Sequence, residues 1–299
     1  MKTNVFLGCV ALGLCGVVAA IAVGIILCSQ REEPDAVNID VRQRGRDRMR
    51  KEKVVFCGIA RDNAEHLDKT LALIERMGEM FASYKVIVYE NDSSDATLSM
   101  LKAWRDKLGE QTVTVLHEHL EWPPAIADGG FSKRRFQILS YCRNQYVARL
   151  KCPEYADSKY AVVLDMDLWD FDVDGLAHSF GVGGGGGDVV EWSSISANGV
   201  FDGRTYYDAL AFRSDEFPDT LNSEKQRYDA QLVYSVNDPL VPVKSAFGGL
   251  AIYKRSCLVQ CAYTGDDCEH VGMYACQTSL GHECDAHFMN PAMLLRYHL

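Results

Sequence analysis

Apolar residues along this chain fall into two rhythms, short unbroken runs and longer stretches that repeat every three to four positions. Residues 54–60 (VVFCGIA) form an unbroken run, bounded by charge and of strand length, as expected of a strand buried on both faces. Leu67, Leu71, Ile74, Met77 and Phe81 then recur at helical spacing across residues 63–82. Their rhythm predicts a crossover helix whose apolar stripe is core. Residues 85–90 (KVIVYE) predict a second strand. It runs into Asn91-Asp92-Ser93-Ser94-Asp95, turn-forming residues that suit the cap of a helix over 96–108. Residues 112–116 predict a third strand, and a loop through Pro123 and Pro124 leads to a helix over 131–150 bearing Arg134, Arg135 and Arg143. The run from Lys159 to Leu164 predicts a fourth strand, ending on Asp165-Met166-Asp167. Strand and helix in this alternation predict an α/β fold with a right-handed, mostly parallel sheet flanked by helices.

Past Asp174 the texture changes. Residues 188–192 and 206–212 are short strand candidates around Asn198-Gly199, 214–224 a polar loop and 225–234 a short helix. Residues 241–253 predict two strand pieces about a Gly248-Gly249 break. A helix is expected over 269–278 and a last strand, interrupted by Pro291, over 288–297. The Gly183–Gly187 tract lacks the Lys and Ser/Thr of a phosphate-binding P-loop and reads as surface loop.

The N-terminus adds a different element. After a four-residue tail, residues 5–28 are nearly free of charge and long enough to cross a bilayer as a single transmembrane anchor. A cleavable signal peptide is the rival, although the run exceeds the usual apolar core of such peptides. Residues 29–52 are polar, rich in Arg and Asp, and read as a solvated stem. The rest, 53–299, reads as one catalytic domain with a nucleotide-binding half (53–174) and an acceptor-binding half (175–299). Orientation draws on two opposed signals. Lys2 alone precedes the anchor while Arg31, Arg42, Arg44, Arg46 and Arg48 follow it, which favours a cytoplasmic body. Cysteines crowd the C-terminal stretch, which favours disulfides in an oxidising lumen. A type II protein facing the Golgi or ER lumen is preferred here, with the cytoplasmic orientation as the alternative. A net charge of −10 gives no reason to bind nucleic acid.

The chemistry concentrates at strand ends. Ligands of open α/β sheets gather at the carboxyl ends of strands, which is where Asp165 and Asp167 fall. Two hard oxygen ligands there suit Mn²⁺ or Mg²⁺, which in turn can hold a diphosphate. Arg143 has the planar fork that grips pyrophosphate, with Lys133, Arg134 and Arg135 as runners-up. The competing readings are a purely structural carboxylate pair and a calcium loop. Asp170-Phe171-Asp172-Val173-Asp174-Gly175 matches the first half of an EF-hand, but its twelfth position is Gly181 where a bidentate Glu is needed. Zinc is disfavoured because the C-terminal cysteines contain no CxxC pair.

Taken in order, residues 54–61 with Asn63, residues 86–97 (VIVYENDSSDAT), Arg143-Asn144 and Asp165-Met166-Asp167 resemble the GT-A glycosyltransferases. Glu90-Asn91 stands where those families carry an acidic pair. The texture looks most like the fungal capsule-associated mannosyltransferase-like families and related protist or viral sequences, over about residues 53–297. The resemblance implies a metal-dependent transfer from a UDP- or GDP-sugar to a glycan or glycoconjugate acceptor. It implies that Ala60, Arg61 and Glu90 line the nucleoside pocket, with Glu90 or Asp92 bonding base or ribose. Turn and cap roles for Asp92, Ser93 and Asp95 are the plain alternative. It further implies an acid after the Gly248-Gly249 break that deprotonates the acceptor, with Glu269 first and Asp267 second. The third metal ligand would be His298 on the last strand, with His287 and His270 competing. Trp192, Asn198 and the Tyr206-Tyr207-Asp208 cluster offer stacking and hydrogen bonding to an acceptor, against a core role for the rings. Asn91-Asp92-Ser93 is also a glycosylation sequon, expected to be unused. The alternative from another class is a non-catalytic, membrane-tethered module that binds Ca²⁺ or glycan. A nucleotidyltransferase ranks last.

Overall fold

The four apolar runs of the first half are strands, β1 (Lys53–Ala60), β2 (Ser83–Asn91), β3 (Val113–Glu118) and β4 (Tyr160–Leu164), paired in parallel in the order β3-β2-β1-β4. The computed structural model describes residues 36–120, 133–168, 170–182, 190–201, 205–218, 232–281 and 283–296. Helices α2 (Ala64–Gly78), α3 (Thr97–Leu108) and α4 (Lys133–Leu150) connect or follow those strands. The runs read as continuous because both faces of the sheet are covered. Val54, Phe56, Val86, Val88, Tyr160, Val162 and Leu164 join one core. Their alternates Val55, Cys57, Ile87, Ala161 and Val163 join the other, against Tyr146, Val147 and Leu150 of α4.

After β4 the sheet changes character. β8 (Leu250–Lys254) pairs antiparallel with β4, β6 (Ser194–Val200) antiparallel with β8, and β9 (His287–Arg296) parallel with β6. Short strands β5 (Asp170–Phe171) and β7 (Val241–Pro242) add antiparallel pairs to β9. The sheet is therefore mixed rather than mostly parallel, with parallel order confined to the first four strands and the β6–β9 pair. Helices α5 (Val173–Val182), α6 (Arg255–Leu258) and α7 (Glu269–Ser279) complete this half. Asn198 and Gly199, expected between two strands, lie inside β6, because pairing to Leu294 and Leu295 of β9 overrides poor strand propensity. Pro291 lies in β9 where its register against β6 shifts between Ala197 and Asn198, so the proline sits at a bulge instead of breaking the strand. Residues 206–212 form turns and isolated bridges, not a strand. The glycine tract lies outside the described residues, as does most of the helix expected over 225–234.

Part of the expected stem is ordered. Residues 36–49 form a helix, α1 (Ala36–Met49), and the compact unit begins near residue 34. α1 packs on α5 through glycines: a Cβ on Gly45 would fall 1.7 Å from the Ala177 carbonyl oxygen, and one on Gly181 would fall 1.9 Å from that of Val41. Backbones this close need few large side chains, so α1 carries no apolar stripe for periodicity to reveal. Arg46 pairs with Asp174 at 3.0 Å, Arg42 with Asp172 at 3.6 Å, and Arg48 bonds the Tyr160 hydroxyl at 2.7 Å. Among the described residues no helix is long and apolar enough to cross a membrane, and the run 5–28 lies outside them. Disulfides Cys257–Cys284 and Cys261–Cys276 fasten α6, α7 and the approach to β9 to one another.

Candidate active site

Strand directions place the candidate residues on one rim. β1, β2, β3, β4, β6 and β9 all run the same way, so their carboxyl ends share an edge of the sheet where β8 begins. From β1 the chain goes to β2 and β3 on one side and to β4 on the other. The gap between the ends of β1 and β4 is thus the topological switch point, where open α/β sheets bind ligands.

On the β1–β2 side, two turns are knitted together. Asp62 and Asp92 both take the left-handed conformation, at φ of 50° and 53°, which aspartate tolerates better than most residues. The Asp62 carboxylate accepts from the Ser94 amide at 2.7 Å, and Asp95 accepts from the amides of Ala64 and Thr97, both at 2.9 Å. Burial acts to raise the Asp92 pKa, but bonds from Asn91, the Leu120 amide and His119 outweigh it and hold the carboxyl below its ordinary value. Glu90 is fully buried, accepts from the Ser93 amide at 3.0 Å and pairs with His117. Both oxygens of Glu90 thus have partners within the protein, one in the turn and one on β3. Ala60 ends β1 in register with Glu90. Arg61 is half-buried beside Asp62 at 3.8 Å, and its Nη1 is buried with no hydrogen-bond partner among the described residues.

At the switch point Asp165 and Asp167 follow β4. Asp165 is a quarter exposed and its backbone N–H donates to the Gly249 carbonyl at 2.9 Å. Burial pushes its pKa up to about 7, the charges of Asp167 and Asp208 add to the rise, and Arg143 opposes it. Asp167 is solvent-exposed, yet partial desolvation also raises its carboxyl, as expected of a group open on one side of a recess with protein around the rest. Arg143 is buried. Its Nε donates to Glu269 Oε1 at 3.0 Å and its Nη2 to Asp165 Oδ1 at 3.2 Å, with Phe247 and Tyr263 stacked 4.9 and 5.9 Å from the guanidinium. Arg143 is therefore the shared counter-ion of two acids rather than an exposed arginine, and its Nη1 is buried without a hydrogen-bond partner among the described residues.

Glu269 opens α7 and is 3% exposed. Asp267 is held by Arg213 at 2.8 Å and by the Cys268 amide at 2.7 Å. Glu269 is thus enclosed, whereas the Asp267 side chain is 43% exposed. Trp192 is core: its indole donates to the Ser179 carbonyl at 3.1 Å among Phe180 and Tyr160, so it is no acceptor platform. Asn198 is fully buried at the β6 bulge, with both amide atoms lacking a hydrogen-bond partner among the described residues. Tyr207 stays at the rim, half-buried, its N–H donating to the Gly199 carbonyl at 2.9 Å. His298 lies outside the described residues. Of its competitors, His270 is buried and stacked on Phe247 at 3.9 Å, and burial holds it neutral. His287 sits at the far end of β9, bonded to Ser194 and Thr278, with burial lowering its pKa to about 4. Neither reaches the rim as a ligand.

Among the described residues no third His, Cys, Asp or Glu joins Asp165 and Asp167 in a metal-binding cluster. The pair still fits a hard dication. Mg²⁺ needs only one or two carboxylates beside substrate phosphates, and a cation would relieve the unfavourable charge that raises both acids. The calcium loop fits less well: Asp170 pairs with Arg296 at 3.1 Å, while Asp172 and Asp174 are held by the α1 arginines. One residue of this rim was missed as a site candidate: Asp62 sits in a loop of no marked pattern. Asp208 was read within the Tyr206-Tyr207-Asp208 cluster as an acceptor contact, not as a base.

No protein-family profile matches this chain, and neither does any curated protein sequence. Among solved structures, the mannosyltransferase PcManGT from Pyrobaculum calidifontis, in complex with GDP-Man and Mn²⁺, is similar at 12% identity with a TM-score of 0.48, covering 88% of this chain and 66% of that one. S. aureus TarS 1–349 is similar at 12% identity and TM-score 0.46, covering 82% of this chain and 60% of its own. Glucosyl-3-phosphoglycerate synthase from Mycobacterium tuberculosis, in complex with Mn²⁺, UDP and glucosyl-3-phosphoglycerate, gives 10% and 0.46, over 90% and 76%. This chain thus spans somewhat under two thirds of the first two.

Proposed function

We propose that this chain is a divalent-metal-dependent glycosyltransferase that moves a sugar from a nucleotide-sugar donor to a hydroxyl acceptor. The observation that carries the reading is the placement of Asp165 and Asp167 beyond β4 at the switch point, one braced by a buried arginine and the other open to solvent. Asp165 and Asp167 would hold Mn²⁺ or Mg²⁺. When bound, the ion offsets negative charge on the departing nucleoside diphosphate. The knitted Asp62 and Asp92 turns frame a nucleoside site beside Ala60, and Arg61 supplies an unpaired buried donor for phosphate or ribose. Tyr207, against the end of β6 that holds the buried Asn198, lines the acceptor side. Two disulfides favour an oxidising compartment, and with the apolar run 5–28 they support a lumenal, membrane-anchored enzyme.

Calorimetry on the purified protein with UDP, GDP and a panel of UDP- and GDP-sugars, with and without Mn²⁺, tests this. Metal-dependent nucleotide binding is expected, lost in Asp165→Ala and Asp167→Ala with the thermal unfolding transition retained. Ca²⁺ binding with no nucleotide affinity would instead select the tethered-module reading.

A further inference from the structure

Resting on that glycosyltransferase reading, we propose that Asp208 is the group that takes the proton from the acceptor hydroxyl, and that Glu269 acts only by positioning Arg143. The double-glycine turn before β8 carries the geometry. Gly248 donates its N–H to Asp208 Oδ2 at 3.0 Å, while the carbonyl of Gly249 accepts from the backbone N–H of Asp165 at 2.9 Å. Two adjacent residues thus tie Asp208 to the acid that begins the metal-type pair. Only glycine fits there: φ is +62° and +85°, and a Cβ on Gly248 would fall 2.3 Å from the Ala197 carbonyl oxygen. Gly199, at the carboxyl end of β6, packs against the Gly248 carbonyl and the Tyr207 ring, which places Asp208 beside the β6 residues assigned to the acceptor.

The two carboxylates differ in what they have left to offer. Glu269 is 3% exposed, one oxygen bonds Arg143 and the other faces Cys268 Sγ at 3.8 Å, so no oxygen of Glu269 is open to an incoming hydroxyl. Asp208 is partly exposed, and its bonds are to backbone N–H groups only, Gly248 and, at 3.4 Å, Ala211. No ion pair engages it among the described residues. The surrounding groups that sense its charge are Asp165, Glu269, Arg143, Tyr206, Cys268 and Tyr274. Burial, with the Glu269 charge adding, lifts its pKa to about 6 against the bond from Gly248. That is a range in which a general base is both ionised and basic near neutral pH.

The step balances as a single displacement. The acceptor oxygen forms a bond to the anomeric carbon as the bond from that carbon to the diphosphate oxygen breaks, its electron pair leaving with the nucleoside diphosphate. The hydroxyl proton passes to an Asp208 carboxylate oxygen and then to solvent. The anomeric configuration inverts.

The test uses the full chain, saturating Mn²⁺ and whichever UDP- or GDP-sugar binds, with water as acceptor. Asp208→Asn, which keeps the bond to Gly248, is expected to lower kcat by on the order of 10²–10⁴-fold, with nucleotide affinity within about twofold of wild type. The wild-type kcat is expected to fall below about pH 6, a limb that Glu269→Gln retains and Asp208→Asn lacks. Should Asp208→Asn fail to fold, the Glu269→Gln profile and the anomer first released still decide. Near-wild-type turnover in Asp208→Asn, loss of the limb in Glu269→Gln, or retained configuration overturns the assignment of Asp208 while leaving the glycosyltransferase reading standing. Absence of any nucleotide binding by the wild-type chain overturns both.

Discussion

Arg143 is the residue on which the buried charge of the rim turns. It neutralises Glu269 and Asp165 at once, and its aromatic sandwich between Phe247 and Tyr263 fixes the plane of the guanidinium. Removing it strands a buried carboxylate, so Arg143→Met is expected to destabilise the fold by about 3–5 kcal/mol in urea unfolding. Arg143→Lys should recover only part of this, because an ammonium cannot reproduce two divergent planar bonds. The double variant Arg143→Met with Glu269→Met should be clearly more stable than Arg143→Met alone, since the deeply buried Glu269 carboxylate is then no longer stranded and only the quarter-exposed Asp165 lacks its counter-ion. If the double variant is no better, the ion pair is not what holds this site together. Asp165 and Arg143 were legible in sequence because a carboxylate pair after an apolar run and an arginine in a helix are each local patterns. That they bond each other was not, because residues 143 and 165 meet only once α4 has packed against the sheet.

At the scale of elements, α1 and α5 illustrate what periodicity cannot see. Strands β1, β2 and β4 declared themselves through runs buried on both faces. α1 is held by Gly45 and Gly181 and by arginine–aspartate pairs, none of which produces an apolar stripe. Gly45→Val and Gly181→Val each push a branched side chain into the facing backbone, and each is expected to cost about 1–3 kcal/mol. Limited proteolysis should then cut within residues 36–49 in the variants and spare them in the wild type. Equal protection would mean that α1 docks by its ion pairs alone. β6 escaped notice for a related reason: its Asn198-Gly199 pair is unfavourable locally, and only pairing to the distant β9 makes it strand. The bond that ties Asp208 to the Gly248 turn was likewise illegible, because it joins residues forty positions apart.

Across the whole molecule, titration and cross-linking set where the fold is stable. His287 is buried, with its pKa depressed by burial to about 4. The unfolded chain therefore takes up a proton at this position below about pH 6.5, while the folded chain resists until about pH 4. Stability from this group is complete above about pH 6.5 and is lost as pH falls towards 4. His287→Gln should flatten that part of the stability–pH curve, read from thermal unfolding at pH 7.5, 5.5 and 4.5. A curve parallel to wild type would show that His287 does not govern it. The Cys261–Cys276 link closes a loop of 15 residues, for which chain-entropy reasoning gives about 3 kcal/mol.

Both cross-links lie on the same side of the sheet's change from parallel to mixed order. The four parallel strands and their knitted turns contain no disulfide among the described residues, whereas the segment presenting Glu269 and Tyr263 is bracketed by two. Thiol status should therefore act on one end of the cleft and not the other. On the proposed function, a chain kept reduced would go on gripping a nucleotide while its opposite wall loosened, so that occupancy and turnover part company.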